Sequence, residues 1–119
     1  QYEGELMEMM KNTDFNESVE KNSISQCTEK FKLLSDPCRL AVLRLLMVRE
    51  RFVSEMQEIL GIEQSLLSHH LKHLRNESLV VGTREGKRIR YRLSDEIKSK
   101  ITEDTIDLNC VKISFADPQ

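Results

Sequence analysis

The hydrophobic period changes once along this chain, and that change limits the folds open to it. Between residues 37 and 76 the apolar residues recur at helical spacing. From Leu79 they give way to β-prone sequence, and Arg88-Ile89-Arg90-Tyr91-Arg92-Leu93 alternates strictly between basic and apolar. A period of 3.6 buries one face of a helix, and a period of two gives a strand one wet face and one buried face. With Glu85-Gly86-Lys87 as the turn, residues 79–93 read as a β-hairpin with a cationic face and tip.

The helices before it have readable ends. Ile24, Cys27, Phe31 and Leu34 lie at steps of 3, 4 and 3, which predicts a helix from about Val19 that stops near Ser35. Ser35-Asp36-Pro37 is a helix start: Ser or Asp can cap, and Pro suits the first helical position because it has no N–H to leave unbonded. The following helix, about 37–48, carries Leu40, Val42, Leu43, Leu45, Leu46 and Met47, so it is expected to be the buried central helix. A third helix, starting near Ser54 with Val53, Met56, Ile59 and Leu60 facing inward, ends at Gly61. Only Ile62 and Glu63 separate it from a fourth, running through about Asn76. Two short helices joined by a tight Gly-containing turn form a helix-turn-helix. A last helix is expected from about Asp95 to Ile106 or beyond. Residues 1–18 are expected to be an arm or short helix, 19–112 the folded domain, and 113–119 a tail.

At 119 residues the chain is one domain. Without Trp its core must be aliphatic, and a core this small often gains stability by oligomerising. No apolar run approaches a membrane span, and Glu3, Glu5 and Glu8 do not suit a secretory leader. Three cysteines without C-x-x-C spacing fit a cytoplasmic chain with thiols better than a secreted disulfide scaffold.

Charge is segregated. Residues 61–94 hold seven basic side chains against three acidic ones, a net +4, whereas the rest of the chain carries −6. Such a block is either a solvated surface or a surface for a polyanion. On the fourth helix Leu67, Leu71 and Leu74 form one stripe, while Ser65, Ser68, His69 and Lys72 share another face with Gln64 at its start. That face offers donors and no carboxylate, which suits phosphate oxygens and base edges in a major groove. The hairpin that follows adds Arg84, Lys87, Arg88 and Arg90 for the DNA backbone or the minor groove. An enzyme lacks its parts here: there is no Gly-rich phosphate loop, paired-carboxylate signature or nucleophile–base arrangement. A module of the same shape used only for protein contacts is the rival, and the many cations of the hairpin argue against it.

Two chemistries remain for the other polar residues. His69 and His73 are spaced i, i+4 and can share zinc, but no third ligand is evident beside them, and no metal ligand is assigned. Cys38, at the start of a helix and next to Arg39, is expected to hold a stabilised thiolate. Cys27 lies on the apolar face of the first helix and reads as a small core residue. The three thiols allow inert packing, redox sensing, or binding of arsenite, zinc or a soft metal if they form a metal site; no other cofactor is implied.

Residues from about Cys27 to Leu93 resemble the ArsR/SmtB family of winged-helix repressors. The resemblance is carried by Leu33-Leu34-Ser35-Asp36-Pro37-Cys38-Arg39-Leu40, by Ser65 to Arg75, by Leu79-Val80, and by Glu85 to Leu93. It implies a mostly α fold of five or six helices with a two-stranded β wing. It also implies a homodimer built through the first and last helices and a pseudo-palindromic DNA operator released by an inducer. The family's C-V-C metal pattern falls on Arg51-Phe52-Val53, and its last-helix ligand positions fall on Asp95, Ile97, Leu108 and Val111, so both sites are broken. Cys110 lies near a cysteine position of redox-sensing members, whose partner position is Arg44 here.

Overall fold

The computed structural model describes Gly4 and residues 17–116, so the arm expected over residues 1–18 and the end of the expected tail lie mostly outside it. The chain forms two units, residues 1–32 and 33–119. In the first, helix α1 (Glu17–Leu34) begins; its Ile24 and Cys27 are half-buried and Phe31 is 56% exposed.

The second unit begins at the end of α1, where Leu33 and Leu34 are buried. Asp36 caps α2 (Pro37–Val48): its carboxylate accepts from the N–H groups of Cys38 at 2.8 Å and Arg39 at 3.2 Å, with Pro37 in the first turn. As expected, α2 runs through the core, burying Val42, Leu43 and Leu46. A two-residue strand, β1 (Arg51–Phe52), leads into α3 (Val53–Leu60), which Gly61 ends in the left-handed region at φ 63°. Helix α4 (Gln64–Asn76) follows.

One inward residue of α3 is corrected. Met56 is fully buried and Val53 and Leu60 are half-buried, but Ile59 is 54% exposed. At about 100° per residue, Val53 and Leu60 fall on one side of Met56 and Ile59 on the other. Only the first side meets the core.

The hairpin forms as expected from β2 (Val80–Glu85) and β3 (Arg88–Leu93), antiparallel from Val80 opposite Leu93 to Glu85 opposite Arg88. Tyr91 and Leu93 are buried. The wing is three-stranded rather than two-stranded, because β1 pairs with β3 through Arg51–Tyr91 and Phe52–Arg90. Gly82 faces the Tyr91 ring so closely that a Cβ there would lie 2.9 Å from Cζ. The Tyr91 hydroxyl accepts from Arg75 Nη1 at 2.9 Å, which fastens the end of α4 to the wing.

The expected last helix is not there. Only one turn forms, α5 (Asp95–Lys98), capped by Ser94. A second antiparallel sheet replaces the rest: β4 (Ile101–Thr102), β5 (Thr105–Asp107) and β6 (Lys112–Ser114), in the order β4-β5-β6. Ile101, Thr102, Thr105, Ile106, Val111 and Ile113 are β-branched, which disfavours helix and suits a pleated surface. Glu103 and Asn109 turn the chain at φ 54° and 78°. Ile106 and Leu108 are almost completely buried in the core, and an Arg44–Asp104 ion pair of 2.8 Å ties the meander to α2.

Two outcomes follow for stability. Gly82→Ala should push the Tyr91 ring and strain its bond to Arg75, costing about 1–3 kcal/mol in urea unfolding; an unchanged midpoint would contradict the packing. Glu55 pairs with Arg49 at 2.7 Å and accepts from the Phe52 N–H at 3.0 Å, and these bonds lower its pKa from 4.5 to about 2. Its contribution is therefore fully present above pH 4.5 and fades as pH falls through about 2. The stability advantage of the native chain over Glu55→Gln should shrink over that window.

Candidate nucleic-acid interface and the cluster beneath it

Leu67, Leu71 and Leu74 are each at most 1% exposed, which fixes the rotation of α4 about its axis. Gln64, Ser65, Ser68, His69 and Lys72 are consequently all exposed. Between α4 and the wing lies a cleft of about 180 Å³. Its walls include Gln64 and Ser68 from α4 and Lys87 and Arg88 from the wing, and Leu71 and Tyr91 line its inner side. Four of the nine residues expected to bind DNA thus share one groove.

The wing cations differ in their surroundings. Arg90 donates two bonds to Glu85, at 3.1 and 3.0 Å, which raises its pKa further. Arg92 pairs with Asp95 at 2.9 Å. Among the described residues Arg84, Lys87 and Arg88 make no ion pair. The guanidinium carbons of Arg88 and Arg90 lie 3.4 and 4.3 Å from the centre of the Phe52 ring. The ring's negative face attracts both cations and holds them on the wing. Sequence reading missed Phe52; its role depends on the β1–β3 pairing, which a two-residue strand does not announce.

Sequence reading weighed His70 only with His69 and His73 as a metal group and missed its place in the core. Only 6% of it is exposed, and its steps of 3 from Leu67 and 4 to Leu74 place it on the buried stripe. Arg39 Nε donates to His70 Nδ1 at 3.0 Å, while Arg39 Nη1 bonds the Leu33 carbonyl at 3.2 Å. On its other side, His70 Nε2 is 3.9 Å from Asp36 Oδ1. The ligand atoms of Asp36, Cys38 and His70 all lie within 4.8 Å of one another. Burial works against the Asp36 carboxylate, but the Arg39 and Cys38 N–H groups and nearby positive charge hold its pKa below the ordinary value.

The expectation for Cys38 is reversed. Burial, and then the Asp36 carboxylate, push its thiol pKa up and outweigh Arg39. The helix N-terminus is already occupied by the Asp36 cap. Cys110 is exposed in the β5–β6 loop rather than on a helix, and Cys27 is half-buried on α1; all three are thiols. The histidine pair does come together, His69 Nε2 to His73 Nε2 at 3.2 Å. Among the described residues no third ligand joins it. Desolvation, then the charges of Arg39 and His69, lower the His73 pKa.

The metal positions implied by the resemblance do not fit an ion. Phe52 lies under two guanidiniums, Arg51 bonds the Leu45 carbonyl, Asp95 is paired with Arg92, and Ile97 and Leu108 are buried apolar residues. No helix among the described residues is long and apolar enough to cross a membrane.

A helix-turn-helix whose second helix bears an acid-free polar face, flanked by a cationic wing, defines a winged-helix DNA-binding regulator and not an enzyme. The model of the bacterial regulatory protein arsR family matches residues 36–81. The HTH-type transcriptional regulator NmtR of Mycobacterium tuberculosis is 34% identical over 88 residues, 74% of this chain and 73% of that one. The structure of reduced HlyU from Vibrio cholerae superposes with a TM-score of 0.60 at 35% identity, covering 69% of this chain and 86% of that one. A homodimeric winged helix-turn-helix DNA-binding domain from Mycobacterium bovis gives a TM-score of 0.60 at 30% identity, covering 67% and 74%. The chain belongs to the arsR family of bacterial transcriptional regulators.

Thiol reactivity follows from burial. Under native conditions iodoacetamide should label Cys110 first and Cys38 more slowly than a free thiol, read by peptide mass spectrometry. Labelling of Cys38 ahead of Cys110 would contradict the raised thiol pKa.

Proposed function

We propose that this regulator represses transcription as a homodimer on a pseudo-palindromic operator, in the cytoplasm where the chromosome lies, and that an inducer releases it. The observation that carries the reading is the groove shared by Gln64, Ser68, Lys87 and Arg88. With α4 in the major groove, Ser65, Ser68, His69 and Lys72 reach base edges and nearby phosphates. Arg84, Lys87, Arg88 and Arg90 of the wing then lie along the backbone. Two-fold symmetry asks for half-sites about one helical turn apart, or a multiple. The exposed Phe31 ring of α1 supports dimerisation through the first helix; the β4–β6 meander stands where the second dimer helix was expected.

The inducer acts through thiol chemistry in this reading. Redox sensing by Cys38 would need an activated thiol, and its raised pKa weighs against that. A ligand role for Cys38 has the neighbouring Asp36 and His70 in its favour.

Fluorescence anisotropy on the DNA upstream of its own gene tests the interface. Ser68→Ala and His69→Ala should narrow the gap between operator and random DNA, each hydrogen-bonded base edge being worth about 1–3 kcal/mol. Lys87→Ala and Arg88→Ala should weaken binding to every sequence and lower the salt slope by about one for each phosphate no longer neutralised. Wing variants that bind random DNA as tightly as the parent at all salt concentrations would overturn the assignment.

A further inference from the structure

We infer that Asp36, Cys38 and His70 form a binding site for a borderline divalent cation such as zinc, at the point where the recognition helix α4 rests on the first turn of α2. The donors come from two elements brought together by the fold: the N-cap and first turn of α2, and the buried side of α4. The ligand atoms lie within 4.8 Å of one another, with Nε2 to Oδ1 at 3.9 Å. Zinc bond lengths of about 2.0–2.3 Å place tetrahedral ligand atoms about 3.3–3.7 Å apart, so closure by up to about 1.5 Å completes three corners and leaves the fourth for water.

The donor set selects the ion. One sulfur beside an imidazole nitrogen and a carboxylate oxygen suits Zn²⁺ or Co²⁺. Softer ions such as Cu(I) are selected by sulfur-rich sets, and this site offers a single thiol.

Binding has a defined proton balance. The Cys38 S–H bond breaks, its proton leaves to solvent, and the thiolate pair forms the S–metal bond. His70 accepts from Arg39 at Nδ1, so its ring proton sits on Nε2, facing Asp36. The metal takes the Nε2 pair, and that proton transfers through water to Nδ1. A protonated Nδ1 can no longer accept from Arg39, so the guanidinium must leave His70. Occupancy therefore exchanges one tie of α4, to Arg39, for another, to the α2 cap.

The test is Co²⁺ titration of the full reduced chain, read by absorption, then Zn²⁺ displacement with thermal melting. One equivalent per chain should give tetrahedral d–d bands with a thiolate-to-cobalt charge-transfer band, and Zn²⁺ should erase the bands and raise Tm. Cys38→Ser should lose the charge-transfer band. Asp36→Asn, which keeps a capping side chain, should bind at least tenfold more weakly. His73→Ala, which removes the exposed pair, should leave the spectrum unchanged. Absence of the charge-transfer band, its survival in Cys38→Ser, or its loss in His73→Ala would overturn the site. Operator binding by the metal-free chain is measured separately, so failure of the site and failure of the DNA reading are distinguishable.

Discussion

The leucine stripe of α4 is the constraint on which the proposed DNA surface depends. Leu67, Leu71 and Leu74 are each at most 1% exposed, and each Leu→Ala change at such a site costs about 2–5 kcal/mol. Turning the helix by one residue, about 100°, would expose all three and bury Ser68 without a partner. No alternative rotation of α4 can compete. The polar face is therefore set by apolar packing behind it, and its chemistry is free to serve recognition.

The wing is held by a different force. A hairpin of two six-residue strands is marginal alone, and three interactions steady it: the β1 pairing, Tyr91 packed against Gly82, and the Arg75–Tyr91 bond. Phe52 then orders Arg88 and Arg90, which in water would sample many rotamers. Arg and Lys side chains carry about 2 kcal/mol of rotamer entropy, so in the proposed complex their ordering in advance lowers the cost of docking. Glu85 opposes this for Arg90 by neutralising it. Arg88 is the cation that is both positioned and without an ion pair among the described residues.

Where the sequence is legible, the signal is local. The Asp36-Pro37 start, the Gly61 stop, the leucine stripe and the basic–apolar alternation each depend on a few neighbouring residues, and each has its place in the structure. The last helix, expected from about Asp95 to Ile106 or beyond, stops at Lys98, because the β-branched residues that follow favour strands. Phe52 and His70 escape a sequence reading because their roles depend on tertiary partners. Nothing near Phe52 in sequence shows that Arg88 and Arg90 will stack on it. His70 sits between an outward histidine and a buried leucine, so its own residue type conceals its place on the inner stripe.

That place gives α4 two chemistries one residue apart. His69 points to solvent on the face proposed to meet DNA, while His70, about 100° round the helix, faces Arg39 and the α2 cap. Arg39 also holds the Leu33 carbonyl, so a single guanidinium joins the end of α1, the start of α2 and the middle of α4. Burial of a polar ring costs free energy unless its nitrogens are bonded. Any chemistry that alters His70 must therefore be answered by Arg39, and through Arg39 by the turn that joins α1 to α2. One buried ring, one cation and one capped helix start bring the middle of α4 within two hydrogen bonds of the Leu33 carbonyl.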